Sequence, residues 1–181
     1  MTDRGAVGVL LAAGAGTRFG MPKVLAEQGK WLQGAIDALA GGGCGEVLVV
    51  LGAAIVEPPA PACAVIAADW ADGMSASVRA GLAAAAGAEV AVLHVVDTPD
   101  VGADVVARVL AAERASASGL ARAVFGGRPG HPVAIAGRHW PTLLDALRGD
   151  HGARDFLRAR GADVITVECG DLASGLDIDE R

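Results

Sequence analysis

The chain has 181 residues, with 21 acidic against 15 basic side chains and a formal net charge of −6. That balance excludes a broad electrostatic footprint for nucleic acid or an anionic membrane, since either needs clustered Lys and Arg. Hydrophobic residues make up 52% of the chain and aromatics 3%, with no Tyr, so disorder is excluded and a core of Ala, Val and Leu lets layers approach closely. There are 26 glycines, about twice the usual ~7% share, which points to tight turns and ligand-contacting loops. No apolar run reaches the roughly 18 residues of a membrane span, and Met1-Thr2-Asp3-Arg4 lacks the layout of a secretory signal. Cys44, Cys63 and Cys169 are an odd set without C-x-x-C spacing, which suggests neither a disulfide framework nor a zinc site. The expected location is cytoplasmic, and the length suits a single domain over residues 1–181.

Ala6–Leu11 is a short continuous apolar run that ends at glycines, as a strand buried on both faces does. Trp31 to Leu39 follows with apolar residues spaced for one helix face. Val47–Leu51 is the next strand, and Glu57–Pro61 with its three prolines is a surface loop. A helix over Ser75–Ala86, a strand over Val90–Val96 and a helix over Val101–Arg114 come next. Gly126–Gly130 is a strong breaker that separates two short strands, the second containing Val133–Ile135. Helices over Trp140–Leu147 and Ala153–Arg160 and a strand over Val164–Val167 complete the chain. Alternating helices and uninterrupted apolar strands predict an α/β fold with a mostly parallel central sheet covered on both sides.

The most informative segment is Leu10-Leu11-Ala12-Ala13-Gly14-Ala15-Gly16-Thr17-Arg18-Phe19-Gly20-Met21-Pro22-Lys23, directly after the first strand. In an open parallel sheet ligands bind outside the carboxyl ends of the strands, where this loop sits. Its small residues let backbone N–H groups approach phosphate oxygens, and Arg18 and Lys23 add fixed positive charge. The dinucleotide pattern G-x-G-x-x-G misses by one residue, because Gly14, Gly16 and Gly20 give G-x-G-x-x-x-G. The Walker pattern needs Gly-Lys-Ser/Thr, whereas Lys23 stands between Pro22 and Val24.

This loop resembles the L-A-A-G-x-G-x-R-x-G-x-P-K signature of the MobA-like nucleotidyltransferases. Gly73–Leu82 is similar to that family's G-M-S-x-S-L-x-x-G-L, and Asp97-Thr98-Pro99 to its D-x-P. Gly130-His131-Pro132 resembles G-H-P and Gly149–Arg154 resembles G-D-x-G-A-R, which together point to the molybdenum cofactor cytidylyltransferase (MocA-like) branch. The resemblance spans nearly the whole chain and implies a three-layer Rossmann-like nucleotidyltransferase fold. Three departures stand out. Asp177-Ile178-Asp179 is followed only by Glu180 and Arg181, Phe19 replaces the usual Met, and Pro58, Pro59 and Pro61 interrupt a stretch that is commonly helical.

The resemblance implies that Leu11, Ala12, Ala13, Gly14, Gly16, Arg18, Lys23 and Ser75 bind the nucleotide. It makes Arg18, Lys23 and Asp97 the catalytic set, with Arg18 and Lys23 stabilising departing pyrophosphate. Spacing alone reads Asp97 equally as a ligand for Mg²⁺ or as the cap of the helix near Val101, a role Asp100 also suits. Asp177 and Asp179 alternate, so on a strand both face one side as a second metal contact. Ser75 and Ser77 read as helix caps or as substrate contacts. Ser77, His131, Pro132, Asp150, Gly152 and Arg154 are the implied acceptor residues, with a turn-stabilising role for His131 and a surface pair of Arg154 with Asp155 or Asp150 as the alternatives. His94, His139 and His151 show no metal-ligand spacing.

The expected activity is transfer of CMP from CTP, or of another nucleotide from its triphosphate, to molybdopterin with release of pyrophosphate. Within the family, Ala12-Ala13-Gly14 corresponds to the version seen with pyrimidine nucleotides. The expected partners are the triphosphate, a molybdopterin-type phosphorylated acceptor and a client molybdoenzyme, with no nucleic acid and no membrane. Two alternatives remain at this level: a sugar phosphate or similar acceptor, and a non-catalytic accessory protein that binds nucleotide or cofactor for a molybdoenzyme.

Overall fold

The computed structural model describes residues 5–180. The strands and helices, in chain order, are β1 (Ala6–Leu11), α1 (Lys30–Gly41), β2 (Glu46–Leu51), β3 (Cys63–Ile66), α2 (Met74–Ala84), β4 (Val90–Val95), α3 (Ala103–Ala115), β5 (Leu120–Phe125), β6 (Arg128–Ala136), α4 (Trp140–Ala146), α5 (Arg154–Arg160) and β7 (Ile165–Glu168). All seven strands join one sheet in the order β3-β2-β1-β4-β6-β5-β7. The pairs β1–β2, β1–β4, β2–β3 and β5–β7 are parallel, and β6 alone runs against its neighbours. This is the expected three-layer α/β fold with a mostly parallel sheet.

Alternation along the strands sends successive residues to opposite layers. Leu10, Val49 and Val92 pack beneath α1 and α3 against Ile36, Leu39, Val105 and Val109. Val9, Val50 and Leu93 pack on the other face against Val78 and Leu82 of α2, Leu143 of α4 and Phe156 of α5. Each such side chain contributes about 1.5–3 kcal/mol by leaving water. The central strands are thereby fixed at their carboxyl ends, where Leu11 lies opposite both Val50 and Val95. The loop after β1 and the segment after β4 therefore emerge side by side.

Four local features differ from the sequence-based expectation. The edge strand β3 carries no buried apolar run to announce it, because most of it is exposed. The breaker narrows to Gly126-Gly127, both at positive φ, and β6 already begins at Arg128. Pro129 and Pro132 are tolerated there because β4 pairs with β6 only as far as Val133, so no ladder on that side loses a donor. The pairing then jumps from Arg122–Val133 to Val124–Pro129. Gly130-His131-Pro132 is thus a bulge within a strand, not the turn expected for His131. Finally, residues 177–180 form no strand. The tail is tied instead by Ile178, whose N–H donates to the Asp97 carbonyl at 2.9 Å.

Candidate active site

The glycine loop starts as an extension of the sheet edge. Ala12 donates its N–H to the Val50 carbonyl at 3.0 Å, and the Ala13 carbonyl accepts from Ala53 N–H at 2.9 Å. The chain then doubles back at Gly16, whose φ is +61° and where a Cβ would sit 1.9 Å from the Met21 carbonyl oxygen. Only glycine fits that close approach. The turn is closed by Gly20, whose N–H donates to the Gly16 carbonyl at 2.8 Å. Phe19 is buried and packs on Trp31 with ring centroids 5.3 Å apart, which pins the far side of the loop.

Between this loop, the ends of β4 and the start of α2 lies a cleft of about 460 Å³. Its lining includes Leu11 through Phe19, Lys23, Asp97 and Asp179, with Trp70, Met74, Ser77 and Asp150 on the facing side. Lys23 Nζ donates to Asp97 Oδ2 at 2.8 Å and to Asp179 Oδ1 at 2.9 Å, and Arg18 stands 3.7 Å from Asp179. Burial opposes the Lys23 charge, yet the hydrogen bonds to Asp97 and Asp179 outweigh it and raise its pKa above 10.5. The Lys23 hydrogen bond, reinforced by the Arg18 charge, lowers the Asp179 carboxyl. Asp177 is raised, by partial burial and then by the Asp97 and Asp179 charges. Among the described residues no group of three or more His, Cys, Asp or Glu is arranged to hold a metal by itself. Asp97 and Asp179 nevertheless already grip a cation between two hard oxygen donors, a donor set that fits a divalent ion completed by phosphate and water.

The structure separates the sequence-based candidates. Leu11, Ala12, Ala13, Gly14, Gly16, Arg18, Lys23, Asp97, Ser77, Asp150 and Asp179 all line the cleft. Asp97 does not cap α3, whose N-cap is Gly102, and Asp100 accepts instead from the N–H and Oγ of Ser174 at 2.6 Å each. Neither serine caps α2, since Gly73 holds the N-cap position. Ser75 lies outside the lining, because its first-turn position turns it into the protein, where Oγ is buried without a hydrogen-bond partner. Asp177 also lies outside the lining, and the tail that carries it and Asp179 is not a strand.

His131, Pro132, Gly152 and Arg154 do not line the cleft. Burial, then the Arg122 charge, lowers His131 to about 4. Gly152 takes φ +53° with a Cβ position 2.9 Å from Met74, so its glycine serves packing against α2. The surface pair proposed for Arg154 does not form: Asp155 is 2.6 Å from His151 and 3.8 Å from Arg158. Sequence reading missed Arg122, a half-buried cation on β5. Its only sequence signal is a single charge between two alanines in a strand.

The MobA-like NTP transferase domain matches residues 8–164, and the chain belongs to that nucleotidyltransferase family. It is 36% identical over 187 residues to nicotine blue oxidoreductase of Paenarthrobacter nicotinovorans, covering 95% of this chain and 91% of the relative. Among solved structures it is similar to Rv0371c of Mycobacterium tuberculosis H37Rv, with a TM-score of 0.77, 23% identity and coverage of 99% and 95% of the two chains. A manganese complex of that protein has a TM-score of 0.71 at 22% identity and covers 96% and 93%. A nucleotidyl transferase from Methanothermobacter thermautotroptrophicus has a TM-score of 0.79, 20% identity and coverage of 97% and 92%. Among the described residues no helix is long and apolar enough to cross a membrane.

Proposed function

We propose that the chain transfers CMP from CTP to the phosphate of a molybdopterin-type acceptor and releases pyrophosphate. The observation that carries this reading is the Lys23 ammonium held between Asp97 and Asp179 at 2.8 and 2.9 Å, beside a loop built to meet phosphate. On nucleotide binding, Lys23 and Arg18 turn to the β- and γ-phosphates, and the backbone N–H groups of the loop orient the chain of phosphates. Asp97 and Asp179 would hold Mg²⁺, with Asp177 close enough to add charge. When bound, a divalent ion there would supply neutralisation of the triphosphate charge; the manganese complex of Rv0371c is consistent with that need. An acceptor phosphate oxygen bonds to the α-phosphorus while the bond to the β-phosphate bridging oxygen breaks, and Lys23 and Arg18 stabilise the charge that leaves. The acceptor is already ionised, so no general base is required, and His131, neutral above about 4, serves to shape the acceptor side. A triphosphate substrate and three free thiols suit the cytoplasm, and handing a finished cofactor to a client molybdoenzyme follows from the same reading.

The test is pyrophosphate release from a panel that pairs each nucleoside triphosphate with molybdenum cofactor and with sugar phosphates. Release with CTP and the molybdenum cofactor is expected; release only with a sugar phosphate would overturn the acceptor. Asp97→Asn should lower turnover on the order of 10²-fold or more, and near-normal turnover at saturating Mg²⁺ would remove Asp97 from the metal site. The 36% identical relative named an oxidoreductase favours a second reading, electron transfer to or from a small dye. It is separated by assaying nicotine blue turnover with a reduced nicotinamide dinucleotide: turnover of that pair without pyrophosphate release in the panel would establish it. The loop spacing G-x-G-x-x-x-G weighs against dinucleotide binding.

A further inference from the structure

The chain has three Trp, three Phe and no Tyr, and five of these six rings are committed to packing. Phe19, Phe125, Phe156 and Trp140 are buried, and Trp31 lies against Phe19. Trp140 also donates its indole N–H to the Ile135 carbonyl at 3.1 Å, as a buried indole normally must. Trp70 differs on both counts. It is half-buried and lines the cleft, and its indole N–H has no partner among the described residues, yet is not buried.

Its placement is specific. A Cβ at Gly52 would lie 2.5 Å from Cβ and Cγ of Trp70 and 2.8 Å from the Ala13 carbonyl oxygen. The indole is thus seated directly on backbone just past the end of β2, beside the start of the glycine loop. Met74, 39% exposed, adds a second apolar side chain to the same wall. The charge of the lining on this side is the Asp150 carboxylate, which a Cβ on Gly73 would meet at 2.5 Å, and a carboxylate repels phosphate. Arg18 and Lys23 stand instead with Asp97 and Asp179. One end of the cleft therefore suits phosphates, and the end at Trp70 suits a flat, uncharged ring.

We propose that Trp70 is the side chain against which the nucleobase packs. This assignment rests on the nucleotidyl-transfer reading and adds to it the residue that holds the nucleoside half of the triphosphate. An indole packs on the π-face of a base, which water solvates poorly and which no charged group of the lining can replace. Its open N–H supplies a donor that a base or ribose oxygen can engage.

The experiment titrates the full chain with CTP, CMP and inorganic tripolyphosphate, read by tryptophan emission and by calorimetry. CTP and CMP should quench wild-type emission, whereas tripolyphosphate, which has no base, should bind without quenching it. Trp70→Leu should lose most of that quenching and bind CTP at least about fivefold more weakly, with tripolyphosphate affinity unchanged within about twofold. Trp70→Phe keeps a ring and should retain CTP affinity within about threefold, so it and the wild-type quenching decide the matter even if the Leu variant does not fold. Wild-type emission that CTP and CMP leave unchanged, or equal CTP affinity in Trp70→Leu, would overturn the proposal. So would a parallel loss of CTP and tripolyphosphate affinity in that variant, which would make Trp70 a support for the loop alone. Tripolyphosphate that fails to bind wild type would count against the nucleotidyl-transfer reading and this one together, so the two failures are distinct.

Discussion

The Ile178 backbone N–H donates to the Asp97 carbonyl at 2.9 Å, and this bond fixes the C-terminal tail against the end of β4. It carries Asp179 to within 2.9 Å of Lys23, completing with Asp97 the pair of carboxylates that grips the ammonium. Ile178→Pro removes the donor and a hydrogen bond worth about 0.5–1.5 kcal/mol. The expected result is an apparent affinity for the metal–triphosphate complex that is weaker by about two- to twelvefold, matching that free energy, with little change in melting temperature. Titration calorimetry checks it, and unaltered affinity would separate the tail from the site.

Lys23→Ala and Arg18→Ala should each raise the apparent KM for the triphosphate, by about 1.5–3 kcal/mol per charge-assisted contact. Lys23 should matter more, because its side chain is 14% exposed against 73% for Arg18. Lys23→Ala also leaves Asp97 and Asp179 facing each other without a cation, so the free protein loses stability. The lowered Asp179 pKa gives the sign: its contribution is present above the unfolded carboxyl pKa and fades as pH falls through the lower folded value. The melting-temperature gap between wild type and Lys23→Ala should therefore be full at neutral pH, close in acid, and shrink on adding Mg²⁺.

CTP should be preferred over GTP, because Ala13 lines the cleft and its carbonyl is held by the Ala53 N–H. A purine needs more depth beside the loop than a pyrimidine, and a side chain at position 13 should limit it. Ala13→Gly should shift preference toward GTP by about 1–3 kcal/mol, read as kcat/KM for the two triphosphates with one acceptor. A wild-type preference for GTP would refute the cytidylyl assignment while sparing nucleotidyl transfer.

His94 is 0% exposed within β4, and burial, then His131, lowers its pKa to about 3. Above 6.5 neither folded nor unfolded chain is protonated there. As pH falls below 6.5, the unfolded chain takes up a proton that the folded one refuses, so stability declines toward the folded pKa. His94→Leu should remove that slope, reducing the stability loss between about pH 7.5 and about pH 5 by about 2 kcal/mol. Urea unfolding at the two pH values measures it, with equal losses in both proteins as the contrary result.

The sequence by itself determined the layers and the place of the glycine loop that borders the cleft. Uninterrupted apolar runs such as Ala6–Leu11 leave no polar face, so those strands had to be central and covered on both sides. A small-residue loop with Arg18 and Lys23 after the first of them had to stand at the carboxyl edge. What only the tertiary structure decided are the contacts between residues far apart in the chain. Lys23 meets Asp179 across 156 positions, through a backbone bond that no local pattern encodes, and the same tail geometry draws Asp179 into the cleft but not Asp177. Ser77 rather than Ser75 faces the cleft because the exact start of α2 sets the phase of its turns. The bulge at Gly130–Pro132 and the unpaired charge of Arg122 were equally hidden, because a β-ladder's register depends on its partner strands and not on the strand alone.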